Sequence, residues 1–100
     1  MKDRFFSTVY IAGFMYHDGI DVYEDLKVGV KLNLKAEPNN QFDPYAVAIF
    51  YNDTKLGYIP AEENKLISKF LNCGHTDLFD VKINQVNSDA YPEKQIRVLI

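Results

Sequence analysis

Residues 28–51 read VGVKLNLKAEPNNQFDPYAVAIFY, and how this stretch divides decides the fold. Its first part alternates, with Val28, Val30, Leu32 and Leu34 on one side and Gly29, Lys31, Asn33 and Lys35 on the other. A period of two marks a half-buried strand, here with a basic outer face. Its last part, Tyr45 to Tyr51, is almost continuously apolar, the pattern of a central strand covered on both faces. Between them, Ala36 to Pro44 holds two prolines, two asparagines and an aspartate, a composition that forces a loop.

Working outward, Phe6 to Phe14 is rich in β-branched and aromatic residues and reads as a strand stopped near Gly13. Tyr16-His17-Asp18-Gly19 reads as a turn, with Asp-Gly supplying a positive-φ position. Asp21 to Asp25 reads as an acidic, irregular loop. Downstream, Asn52-Asp53-Thr54 turns the chain and Lys55 to Ile59 returns, making a hairpin. Pro60 opens a helix whose first turn carries Glu62 and Glu63, suited to the positive end of the helix dipole. Leu66, Ile67, Phe70 and Leu71 form its expected apolar stripe, and Gly74 stops it. Asp77 to Asn87 is expected as a strand with Phe79, Val81 and Ile83 inward. Ser88 to Glu93 turns, and Gln95 to Ile100 is the last strand. Five or six strands with a single helix predict a mainly β fold, a small barrel or strongly bent sheet.

One hundred residues suffice for one domain, taken as residues 1–100. No repeat or linker divides them. The 47% apolar share is enough to build a core and argues against disorder. The net charge of −3 speaks against gripping a long duplex by its phosphates, but leaves room for a small site at a strand end. A single cysteine, Cys73, excludes an internal disulfide, and it reads as a small, at least half-buried thiol near a helix end. No apolar run approaches the ~20 residues of a membrane span, and the first residues lack a signal-peptide pattern. A cytoplasmic protein with no membrane partner is the expectation.

Catalytic patterns are sparse. His17 and His75 lie in separate turns without a cysteine or paired carboxylate beside them. Ser7, Ser68 and Ser88 sit in no nucleophile elbow. The five glycines are scattered, so no phosphate-cradling loop exists. Asp18, Asp21, Glu24 and Asp25 do not follow calcium-loop spacing and read as a solvated acidic face. No catalytic residue, metal ligand or cofactor is expected.

The loop itself admits two readings. Asn and Asp between prolines commonly cap their own backbone, and by pattern alone Asp43 need do no more, with Phe42 in the core. Yet Glu37-Pro38-Asn39-Asn40, Phe42-Asp43, Ala46-Val47-Ala48 and Gly57-Tyr58-Ile59-Pro60 occur in order, preceded by Val9-Tyr10-Ile11-Ala12-Gly13-Phe14. This series, covering about positions 6 to 70, resembles the HIRAN domain family. The resemblance implies an OB-like β-barrel, found fused to DNA-remodelling helicases and also alone in bacterial proteins.

It also implies a function, capture of the 3′-hydroxyl end of single-stranded DNA in replication or repair, without catalysis. On this reading Asn39 and Asn40 contact the terminal nucleotides, Phe42 shapes the pocket and offers its backbone, and the Asp43 carboxylate accepts from the terminal hydroxyl. Tyr16 stacks on a base, with Tyr58 beside the site. Apart from the resemblance, Lys31 and Lys35, on the polar strand face leading into the loop, are placed to pair with phosphates, as is Lys55, although Lys27, Lys31 and Lys35 taken alone read as a solvated strand face. A helicase or other repair protein is the further partner implied.

The chain departs from the family where Met15 stands in place of an arginine before the stacking tyrosine. Ala61-Glu62-Glu63 replaces basic residues after Gly-Tyr-Ile-Pro. Gln41 and Phe42 stand where proline and tyrosine are common. These changes predict weak, salt-sensitive binding. Two rivals follow from the same residues: a protein-interaction module that has kept the fold and lost the DNA site, and a metal-dependent hydrolase using Asp43 with His17.

Overall fold

A computed structural model describes residues 8–74, 79–91 and 94–100. Ser7, His75 and the ends of the first strand, the Asp77 strand and the Pro92 turn, as read from sequence, lie outside the described residues.

Six strands form one antiparallel sheet: β1 (Thr8–Tyr10), β2 (Lys31–Ala36), β3 (Val47–Tyr51), β4 (Thr54–Tyr58), β5 (Val81–Val86) and β6 (Ile96–Leu99), in the order β1-β6-β5-β2-β3-β4. Register shifts at Ile49/Phe50 and Ile83/Gln85 bend it. The sheet curls until its two ends meet. Ala12 N–H donates to the Tyr58 carbonyl at 2.8 Å, and Tyr58 N–H donates to the Ala12 carbonyl at 2.9 Å. Gly57 makes this seam possible. A Cβ there would lie 2.5 Å from the Ala12 carbonyl oxygen, and the backbone sits at φ 153°. Joining the two ends protects strand edges that would otherwise invite aggregation.

The core fills the inside of the curl. Val9, Ile11, Leu32, Val47, Ile49, Leu56, Val81, Ile83, Ile96 and Val98 alternate inward from their strands. β3 is buried as its apolar run predicts, with Val47, Ala48 and Ile49 all inaccessible. The helix α1 (Ala61–Asn72) follows Pro60 and ends before Gly74 at φ 90°. It packs against β2 and β3.

Several expectations need correction. The Phe6–Phe14 strand is shorter, because Gly13 at φ 72° turns the chain into a 3-10 helix, Phe14–Tyr16. Asp18–Asp25, expected as turn and loop, is a second 3-10 helix. Gly19 is absent from the positive-φ residues. It is needed for space, since a Cβ there would come 2.3 Å from the buried Phe14 ring. Val28 is two-thirds exposed because Gly29, at φ 91°, reverses the chain before β2 begins. The buried stripe of α1 is Asn64, Ile67, Ser68 and Leu71, while Leu66 and Phe70 lie exposed at its margin. Apolarity alone misplaced that stripe, since Asn64 and Ser68 enter it through hydrogen bonds. Cys73 is exposed.

Candidate nucleic-acid interface

The loop between β2 and β3 is stitched by its own polar groups. Glu37 N–H donates to the Ala46 carbonyl at 2.8 Å and closes the neck. Within it, Asn40 N–H reaches the Glu37 carbonyl at 3.0 Å and Ala46 N–H reaches the Asp43 carbonyl at 3.0 Å, making two successive turns. The Asn40 side-chain oxygen accepts from Phe42 N–H at 2.8 Å and Asp43 N–H at 3.0 Å. Asp43 Oδ1 accepts from Tyr45 N–H at 2.8 Å. Asparagine and aspartate therefore do cap backbone here, as the bare pattern suggests.

Two side-chain ties fix the loop to the rest of the molecule. One runs to α1, where Asn64 Nδ2, nearly fully buried, donates to Asp43 Oδ2 at 2.9 Å. The other runs to β4. Glu37 accepts from Lys55 Nζ at 2.7 Å, from the Tyr58 hydroxyl at 2.8 Å and from Asn40 Nδ2 at 3.1 Å, and Lys55 also donates to the Tyr58 hydroxyl at 3.1 Å. Burial pushes the Glu37 carboxyl up, but the bonds from Lys55, Tyr58 and Asn40, with the Lys55 charge, outweigh it and hold the group below its ordinary value. The same bonds from Glu37 and Tyr58 raise the Lys55 ammonium, against a smaller opposing effect of burial.

The network extends to the 3-10 region. The His17 ring meets the Tyr58 ring edge-on, centroids 5.5 Å apart. A series of side-chain contacts thus runs from His17 through Tyr58 and Glu37 to Asn40.

The expected site residues fall into two groups. Tyr16, 79% exposed, and Phe42, 95% exposed, present free rings to solvent. Phe42 is thus outside the core, and its N–H is already engaged by Asn40. Asn39, Lys31 and Lys35 are exposed. Asn40, Asp43, Lys55 and Tyr58 are instead engaged internally. Lys55, expected to pair with phosphate, is turned into the Glu37 pair, because a short carboxylate bond in a half-buried place holds it there. Asp43 keeps acceptor capacity, since a carboxylate can take about four hydrogen bonds and two are in use.

Three contributors were missed by sequence reasoning. Glu37 appears there only as part of a motif, His17 only as a metal candidate, and Asn64 not at all. Lys65, next to Asn64, also lies 5.0 Å from the Tyr45 ring centroid, placing a cation at the loop's far end. Among the described residues no group of three or more His, Cys, Asp or Glu could hold a metal ion. No described helix is long and apolar enough to cross a membrane.

A curled six-stranded antiparallel sheet with one flanking helix is the architecture of the small OB-like β-barrel modules. The chain belongs to the HIRAN domain family, whose model matches residues 5–98. The match extends through the C-terminal strands, beyond the segment that carries the sequence resemblance. Two solved structures are similar. A Lactobacillus plantarum protein, solved by structural genomics, superposes with a TM-score of 0.73 at 25% identity, covering 95% of this chain and 88% of its own. The HIRAN domain of human HLTF gives a TM-score of 0.68 at 14% identity, covering 93% of this chain and 69% of its own. None of the curated proteins matches the chain.

Proposed function

We propose that this chain is a non-catalytic, single-domain module that binds nucleic acid, holding the 3′-hydroxyl end of a single DNA strand against the loop Glu37–Tyr45. The observation that carries the reading is a fixed carboxylate with a free aromatic ring next to it in the chain. Asp43 is held by Asn64 and Tyr45 with acceptor capacity left over, while Phe42 and Tyr16 offer exposed ring faces. A terminal hydroxyl donates to a carboxylate, whereas an internal phosphodiester is repelled by it, so this chemistry selects ends. Base stacking on tyrosine contributes ~1–3 kcal/mol without regard to sequence. Family membership and the likeness to the HLTF domain support the same reading. The setting it implies is DNA replication or repair in the cytoplasm, beside a helicase or other repair protein.

Titration of three labelled ligands tests it: an oligonucleotide with a free 3′-hydroxyl, the same strand ending in a 3′-phosphate, and a blunt duplex. Preference for the free hydroxyl is expected, lost in Asp43→Ala. Equal binding to all three, or to none, contradicts it.

A further inference from the structure

Two features on the outer face of β2 are not explained by the loop. The first is a like-charge pair. Lys31 on β2 and Lys82 on β5 are register partners on the outer face, while the next pair, Leu32 and Val81, points into the core. Side chains directly opposite in an antiparallel pair start about 4.5–5.5 Å apart, and like charges there are unfavourable. Lys82 has a partial counter-charge in Asp80, 3.6 Å away at an exposed site. Lys31 and Lys35 have no ionic partner among the described residues.

The second feature is an open groove of about 310 Å³ lined by Asn33, Leu34, Lys35, Phe50, Asn52 and Asp53. It lies on the same outer face, because Asn33 and Phe50 are register partners and Lys35 is the next outward residue. It offers one aromatic ring, two amides and a carboxylate, groups that meet the π-face and polar edges of a nucleobase. The basic face is local. The chain carries a net charge of −3, and Asp18, Asp21, Glu24 and Asp25 are exposed on the 3-10 helix against β4. The occupant that fits both features is an anionic polymer bearing flat polar rings, which is single-stranded nucleic acid. An acidic peptide would satisfy the lysines and leave the groove unused.

We infer that the outer face of β2 is a second nucleotide site. An internal base of the strand enters the Asn33–Phe50–Asn52 groove, and the flanking phosphates lie on Lys31, Lys82 and Lys35. The inference rests on the loop holding that strand's end. Lys35 is two residues from Glu37, and Lys31 lies ~13 Å further back along β2, so the strand runs continuously from loop to groove.

The test uses the full chain and labelled oligothymidylates of two, four and eight nucleotides, each with a free 3′-hydroxyl. Affinity is expected to rise with length. In the Lys31→Gln/Lys82→Gln double variant the rise flattens, and the slope of log K on log salt becomes shallower by ~1.4, the loss of two single-strand phosphate contacts. The variant melts close to the parent, since Lys31 is exposed, Lys82 is half-buried and gives up only a loose surface pair with Asp80, and the two like charges oppose each other. Its preference for hydroxyl over phosphate ends is retained. Length-independent affinity with end preference intact overturns the second site and leaves the loop reading standing. Rising affinity without end preference overturns the loop reading and, with it, the continuous path inferred here. Competition by poly-glutamate as strong as that by oligothymidylate overturns the choice of nucleic acid.

Discussion

Asn64, in the first turns of α1, donates its side-chain amide to Asp43 across 2.9 Å and so ties the helix to a loop 21 positions upstream. One carboxylate oxygen is thereby fixed by the helix while the other caps Tyr45 N–H. The orientation of Asp43 depends on the helix as much as on its own turn.

Asn64→Ala should therefore do two things. Losing a hydrogen bond to a charged group costs about 1.5–3 kcal/mol, read as a lower denaturant midpoint. The released carboxylate should also discriminate less between hydroxyl and phosphate ends. A stability loss with unaltered end preference would reduce Asn64 to a packing residue.

The Glu37–Lys55 pair gives a pH dependence with a definite sign. Glu37 is held below its ordinary value of 4.5 in the folded chain, so its stabilisation is full above that pH and is lost as pH falls through the lower folded value. Lys55 is raised above its ordinary value of 10.5, so its contribution is full below that pH and is lost as pH rises through the higher folded value. Denaturation of Glu37→Gln from pH 7 down to pH 3 should decline less steeply below 4.5 than the parent. Parallel curves would contradict the role given to Glu37.

Gly57→Ala should open the seam. The added methyl would meet a backbone carbonyl, which cannot swing aside as a side chain could. A loss of about 1–3 kcal/mol is expected, with faster hydrogen exchange at the Ala12 and Tyr58 amides. Unchanged exchange at both amides would show that the seam tolerates the methyl.

Phe42→Ala and Tyr16→Ala should leave folding unchanged within ~0.5 kcal/mol, because both rings are already in water. Each should weaken single-strand binding by ~1–3 kcal/mol if its ring stacks on a base. A large drop in melting temperature with binding intact would reverse the assignment.

The strands were legible where period two or continuous apolarity was strong, though not their ends. The strand read from Val28 to Lys35 begins only at Lys31 and takes in Ala36, the run from Tyr45 to Tyr51 pairs only from Val47, and Gly74 ends the helix as expected. The 3-10 helix Asp18–Asp25 was not legible, because its acidic, Gly-containing sequence has the composition of a turn and loop and its shape depends on packing Phe14 over Gly19. The site was half legible. Local motifs pointed to Asn40, Phe42 and Asp43, but Asn64, Lys55 and His17 acquire their roles through contacts 18 to 41 positions distant in sequence, as between Lys55 and Glu37 or His17 and Tyr58. No local pattern encodes such pairings.

The central claim, that a strand end rests on this loop, is tested most directly by amide chemical-shift mapping with a short oligonucleotide carrying a free 3′-hydroxyl. The expected shifts centre on Asn39 to Tyr45 and on Tyr16 and His17, and shrink when the strand ends in phosphate. Saturable shifts confined to other parts of the barrel, with these amides unmoved, would contradict it.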